Sequence, residues 1–150
     1  MRLFFAIASM GLVVGCAQTA EHPGSIFSIS EPLIAVIGDE IFSGEATGYL
    51  DGTGTIRMQS QKDPNLKCIG DFHYVSSKSG TGSATCIGGT RGLLVFQALS
   101  NLSGYGTAIS DRRPVSFAYG LSLEDSSKYL RIPEGKKLAR KGDVLEWMAE

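Results

Sequence analysis

The sequence predicts a mainly β fold: a small antiparallel barrel or sandwich of glycine-rich hairpins, with a short helical segment near the C-terminus. Three observations predict it. A weak internal repeat runs through the middle of the chain, opening at Gly44, Gly82 and Gly104 and closing at Met58, Phe96 and Phe117. The turn dipeptides Asp51-Gly52 and Gly88-Gly89 lie inside the first two units, and these are dipeptides that tight hairpins favour. The chain holds 19 glycines among 150 residues, nearly twice the usual share of about 7%, and shows no collagen-like period.

The elements follow in order. Leu33-Ile-Ala-Val-Ile37 is an apolar run of strand length that ends at Gly38. The first repeat unit sets Gly44-Glu-Ala46-Thr-Gly48 before Asp51-Gly52, Gly54 and the alternating Ile56-x-Met58. Lys67 to Val75 adds a further strand. The second unit runs from Gly82-Ser-Ala84-Thr-Cys86 through Gly88-Gly89 and Gly92 to Leu94-x-Phe96. The third runs from Gly104-Tyr-Gly106-Thr-Ala108 through Asp111 and Pro114 to Val115-x-Phe117. Each unit reads as a small-residue arm, a turn and an apolar alternating arm. Small residues on the first arms permit strong twist or close approach of a second layer, and repeated hairpins of this kind curl into a barrel or compact sandwich.

Beyond Gly120 the character changes. Ser122-Leu-Glu-Asp125 has the pattern of a capping box and predicts a short helix to about Leu130, broken by Pro133-Glu-Gly135. Lys136 to Glu150 is open between helix and strand: Leu138, Leu145 and Met148 fit helical spacing, and Gly142 counts against it.

Length and charge bound the rest. A chain of 150 residues allows one domain, two at most. Its formal net charge of −1 lacks the basic footprint of a nucleic-acid binder. With 43% hydrophobic and 19% charged residues, it is not a disordered polyelectrolyte.

The N-terminus reads as a targeting segment. Met1-Arg2 precedes the apolar run Leu3 to Val14, which as a helix would span roughly 18 Å against the ~30 Å of a hydrocarbon core. That is a signal-peptide core and not a membrane span. The run ends in Val13-Val14-Gly15-Cys16, which resembles the lipobox of bacterial lipoproteins. The resemblance covers the first 17 residues. It implies cleavage after Gly15, diacylation of the Cys16 sulfur and acylation of the new amine. Multiple acyl chains give the stable anchoring that a single chain does not. The rival is an ordinary secretory peptide cut near Ala17 or Ala20. Ala17, where an aspartate would mark inner-membrane retention, resembles the outer-membrane class. The expected organisation is therefore a signal peptide at 1–15, a lipidated tether at 16–30 that is small, polar and broken by Pro23-Gly24, and a β domain at 31–150 with a helix-containing tail. The expected location is the outer membrane, on its periplasmic face.

Setting Cys16 aside for lipid leaves Cys68 and Cys86, each in a Cys-Ile-Gly string. An even pair in an oxidising compartment reads first as a disulfide, worth about 3 kcal/mol for a loop of this length. Buried free thiols and a metal site are the rivals. Only His73 stands near enough in sequence to join a metal set, and the reading carries no metal and no cofactor.

Little else carries chemistry. His22 lies in the tether and His73 in a strand. No nucleophile elbow selects a serine to join His73 in a triad. Neither a GxGxxG turn nor a Walker loop is present. The basic residues Lys136, Lys137, Arg140 and Lys141 are interleaved with acidic ones and read as a solvated face, with membrane-surface contact as the lesser reading. Tyr105, between two glycines, is either a binding knob or an aromatic covering glycine gaps.

The functional expectation is a non-enzymatic envelope lipoprotein, a binding or structural module whose partner could be an envelope protein or a glycan. One subtype is an inhibitor of lysozyme-like enzymes: Ser103-Gly104-Tyr105 loosely resembles a loop of disulfide-bonded barrel lipoproteins of that kind. The alternative is an envelope hydrolase or sugar-modifying enzyme, which needs paired carboxylates. Glu40, Glu45, Asp51 and Asp71 are available, and spacing selects no pair.

Overall fold

The structure, a computed structural model, describes residues 27–111 and 113–150. Cys16, His22 and the targeting segment lie outside the described residues. The fold is a closed antiparallel barrel of eight strands: β1 (Ser28–Ile37), β2 (Glu40–Tyr49), β3 (Thr53–Ser60), β4 (Lys67–Ser76), β5 (Ser79–Cys86), β6 (Arg91–Ala98), β7 (Gly104–Ser110) and β8 (Arg113–Tyr119). Each strand pairs with the next in sequence, and β8 returns to β1. The three repeat units are the hairpins β2–β3, β5–β6 and β7–β8. β1 begins at Ser28, so it takes in the last residues of the stretch expected to be tether.

Closure is supported by how the interior is filled. Residues alternate in and out along a strand, and the inward positions here pair glycine on one strand with an aromatic on its neighbour. Gly54 and Gly82 both lie opposite Phe72. Gly80 and Gly106 both lie opposite Phe96, and Gly106 also faces Phe117. Gly104 lies opposite Tyr119. The rings lie over the glycines: a Cβ added to Gly80 would meet Phe96 Cζ at 2.2 Å, and one on Gly106 would meet Phe117 Cζ at 2.4 Å. Alternating small and large residues let a narrow barrel fill without voids. Phe72, Tyr74, Phe96 and Tyr119 then pack edge to face, with centroids 5.0–6.3 Å apart, an arrangement aromatic quadrupoles favour.

Polar and charged residues such as Glu45, Arg57, Asp71 and His73 take the opposite, outward parity on β2 to β4. A bilayer-spanning barrel has the reverse, an apolar outside around a polar lumen.

The chain after the barrel lies against its outside. Helix α1 spans Leu123–Ser127, and Ser122 Oγ accepts from Asp125 N at 3.0 Å as its cap. The helix stops three residues short of the expected Leu130. The segment 136–150 is a two-stranded hairpin, β9 (Lys136–Lys141) with β10 (Val144–Ala149). Its turn uses Gly142 at φ +61°, so the glycine that counts against a helix is the turn residue. Leu130, Leu138 and Leu145 pack on Ile34, Val36, Ile41 and Ala118 in a second core outside the barrel wall. β1 is therefore buried on both faces over Leu33–Ile37, which explains a continuous apolar run where a half-exposed strand would alternate.

Candidate functional site at the barrel mouth

In a barrel of consecutive hairpins, connections fall alternately at the two ends. One end, the mouth, gathers the start of β1, the β2–β3, β4–β5 and β6–β7 connections and the exit of β8. The other end gathers the β1–β2, β3–β4, β5–β6 and β7–β8 connections.

At the mouth the barrel is hollow. β2 pairs with β1 along its full length, but β8 pairs only with residues 33–37. The start of β1 and the end of β2 therefore stand above the closed wall. They enclose an open hollow of about 490 Å³ with Phe72, Tyr74 and Tyr119 at its base. Phe27, Ile29, Leu50 and Leu102 line its sides. Tyr74 and Tyr119 place their hydroxyls 3.4 Å apart. Burial, and then the hydrogen bond with Tyr74, push the Tyr119 phenol well above its ordinary pKa, so it stays protonated at physiological pH, and the two hydroxyls are the hydrogen-bonding groups of an otherwise aromatic floor.

The interior below that floor is filled. A void among small residues such as Ala35, Ala84 and Ala108 measures about 40 Å³, far below the ~300 Å³ at which small-molecule pockets begin.

The sequence-predicted residues fall as follows. Cys68 and Cys86 form a disulfide across β4 and β5, directly opposite each other in the register. Lys67 O accepts from Ile87 N at 2.8 Å, so the neighbouring Cys68–Cys86 pair is the non-hydrogen-bonded kind, in which antiparallel strands approach most closely. Both face the interior toward the closed end, away from the mouth. The four carboxylates weighed for hydrolysis do not converge. Glu40 binds Ser60 Oγ beside the closed end, Asp51 accepts from Thr53 N and Oγ1 in the mouth turn, and Glu45 and Asp71 stand on the outer faces of β2 and β4. His73 faces outward, with Nε2 3.4 Å from Thr81 Oγ1. Among the described residues, no group of three or more His, Cys, Asp or Glu is placed to hold a metal ion.

Tyr105 stacks on Tyr129 outside the barrel, centroids 4.1 Å apart and 16° from parallel. The glycines on either side of it face inward and are covered by Tyr119 and Phe117 instead. Ser103 is buried and bonds Ser100 Oγ at 2.7 Å, so Ser103-Gly104-Tyr105 is a strand start and not a projecting loop.

Sequence reasoning missed the mouth. Leu50, Leu99 and Leu102 sit at turn positions, where Asp51-Gly52 and Ser100-Asn101 draw attention first, and Phe27 and Ile29 sit in the stretch read as tether. The available signal was the placing of Leu50, Leu99 and Leu102 in connections, where polar residues are the rule.

Searches of protein-family models, curated proteins and solved structures return no match to this chain.

Proposed function

We propose that this chain is a lipid-anchored protein of the bacterial outer membrane, held by acyl chains on Cys16, and that its barrel is a non-enzymatic binding or structural module whose working surface is the mouth. One observation supports this above the rest. The interior is filled apart from a void of about 40 Å³, while the end reached first from Cys16 opens into a hollow of about 490 Å³ in which Phe27, Ile29, Leu50 and Leu102 stand beside Glu31 and several hydroxyl side chains. The four carboxylates line no common groove, which favours a binding module over a hydrolase, whose acid and base face each other across one groove.

Replacing the anchor tests the reading. Cys16→Ser is expected to leave an unprocessed precursor or to release the protein from the membrane fraction, and the wild-type precursor is expected to accumulate under globomycin, which blocks lipoprotein signal cleavage. A Cys16→Ser chain that is processed and fractionates with the outer membrane as before overturns the proposal.

A further inference from the structure

The two ends of the barrel differ in chemistry. At the mouth, Leu50, Phe27, Val75 and Leu99 are 81%, 67%, 62% and 50% exposed, and Ile29 and Leu102 are exposed beside them. Charge in the mouth connections is limited to Asp51 and Lys78, and Glu31 on β1 lines the hollow beside its apolar residues. At the opposite end, Asp39, Lys62, Asp63 and Asp111 are all exposed in the described connections, where Ile87 is the one large exposed apolar residue, and Ile69 and Ile109 are exposed on the adjoining strand ends. Single exposed apolar side chains are ordinary, but a contiguous group of them marks an interaction surface.

The position of the anchor says what that surface meets. Phe27 stands at the mouth, 11 residues after Cys16. Whatever its conformation, that stretch spans at most about 40 Å. The chain enters the barrel at the mouth, so the rim is the described surface nearest the anchor along the chain, and the opposite end stands about 25 Å beyond it, given ten-residue strands tilted as barrel strands are. We infer that the mouth rim rests on the lipid bilayer, with Leu50, Leu99 and Leu102 entering the headgroup region and the hollow closed by the membrane surface. This rests on the proposed lipid anchor and names the partner of the same site. A second apolar face, Leu93, Val95 and Ile109 on β6 and β7, lies on the side of the barrel with Arg91 and Arg131 beside it. That face lies on the side wall, away from the point where the described chain enters the barrel.

The chain carries its own control. Trp147 is the single tryptophan, and its Nε1 donates to Asp39 O at the closed end, 2.7 Å away. The acylated full-length protein is reconstituted into vesicles of phosphatidylethanolamine and phosphatidylglycerol, made with or without bromine on the acyl chains. Trp147 emission is expected to be unchanged by bromine. Leu50→Trp and Leu99→Trp, each with Trp147→Phe, are expected to lose most of theirs. Cosedimentation of the wild-type chain reads the anchor separately. A chain bound to vesicles with no quenching at position 50 or 99 overturns the inference and leaves the anchor standing; an unbound chain overturns both. Unquenched but blue-shifted emission at those positions means that protein, including a second copy of this chain, covers the rim, and this also overturns the inference.

Discussion

A methyl group is enough to disturb the barrel at Gly80. Its added Cβ would meet Phe96 Cζ at 2.2 Å and His73 O at 2.4 Å. Neither the backbone of β4 nor a ring held by three aromatic neighbours has room to give. Gly80→Ala is expected to lower stability by at least the ~1–3 kcal/mol of an overpacked core. Gly48→Ala is the matching control, because nothing lies within 4 Å of its added Cβ and its φ is ordinary. It should be neutral or slightly stabilising, by the backbone freedom glycine loses. Urea midpoints compare the two, and equal losses would show that aromatic cover is not what demands glycine at position 80. Tyr119 makes a second residue-level prediction. Its phenol holds its proton more tightly when folded. The stability linked to it is fully present below the unfolded value of about 10 and is lost as pH rises above that value. Stability should fall with pH above about 10, and Tyr119→Phe should flatten that fall. An unchanged slope in the variant would assign the alkaline loss to other groups.

Hairpins were legible in the sequence and closure was not. Asp51-Gly52 and Gly88-Gly89 act locally, and the structure uses them with Gly52, Gly88 and Gly89 all at positive φ. The pairing of β8 with β1 joins residues about 80 apart and left no local mark. The facing of Gly80 by Phe96 lies within one hairpin, 16 residues apart, but it depends on a register that the sequence does not fix. Lys136 to Glu150 stayed ambiguous for a related reason. Leu138 and Leu145 serve a helix or a hairpin equally, and docking on the barrel decides between them through Leu145 N, which donates to Gln61 Oε1 at 2.8 Å. The mouth was hidden because Phe27 and Ile29 fall in the stretch read as tether. The Cys68–Cys86 bridge is the element-level feature that the sequence did support, and it fastens β4 to β5 with a separation of 18 residues. The double variant Cys68→Ala/Cys86→Ala should lose about 2–5 kcal/mol, read as a lower urea midpoint. A loss under 1 kcal/mol would mean that the barrel constrains this hairpin without the bridge.

Two cores share one strand in the whole molecule. β1 sends Leu33, Ala35 and Ile37 into the barrel and Ile34 and Val36 outward under the C-terminal hairpin. Packing on either face orders the same backbone, so barrel and hairpin should unfold together although the hairpin pairs with no barrel strand. Leu145 is the sharpest place to ask, being 3% exposed at the centre of the outer core. Leu145→Ala should cost about 2–5 kcal/mol, the usual range for emptying such a site. Trp147, on the hairpin, reports the outer core by fluorescence, while far-UV circular dichroism is dominated by the barrel strands. In a single cooperative unit the two signals give one coincident transition in the wild type and in the variant, displaced to lower denaturant by the mutation. If Trp147 reports an earlier transition and the strand signal stays where it was, the hairpin is an independently opening unit, and β1 is held by the barrel alone.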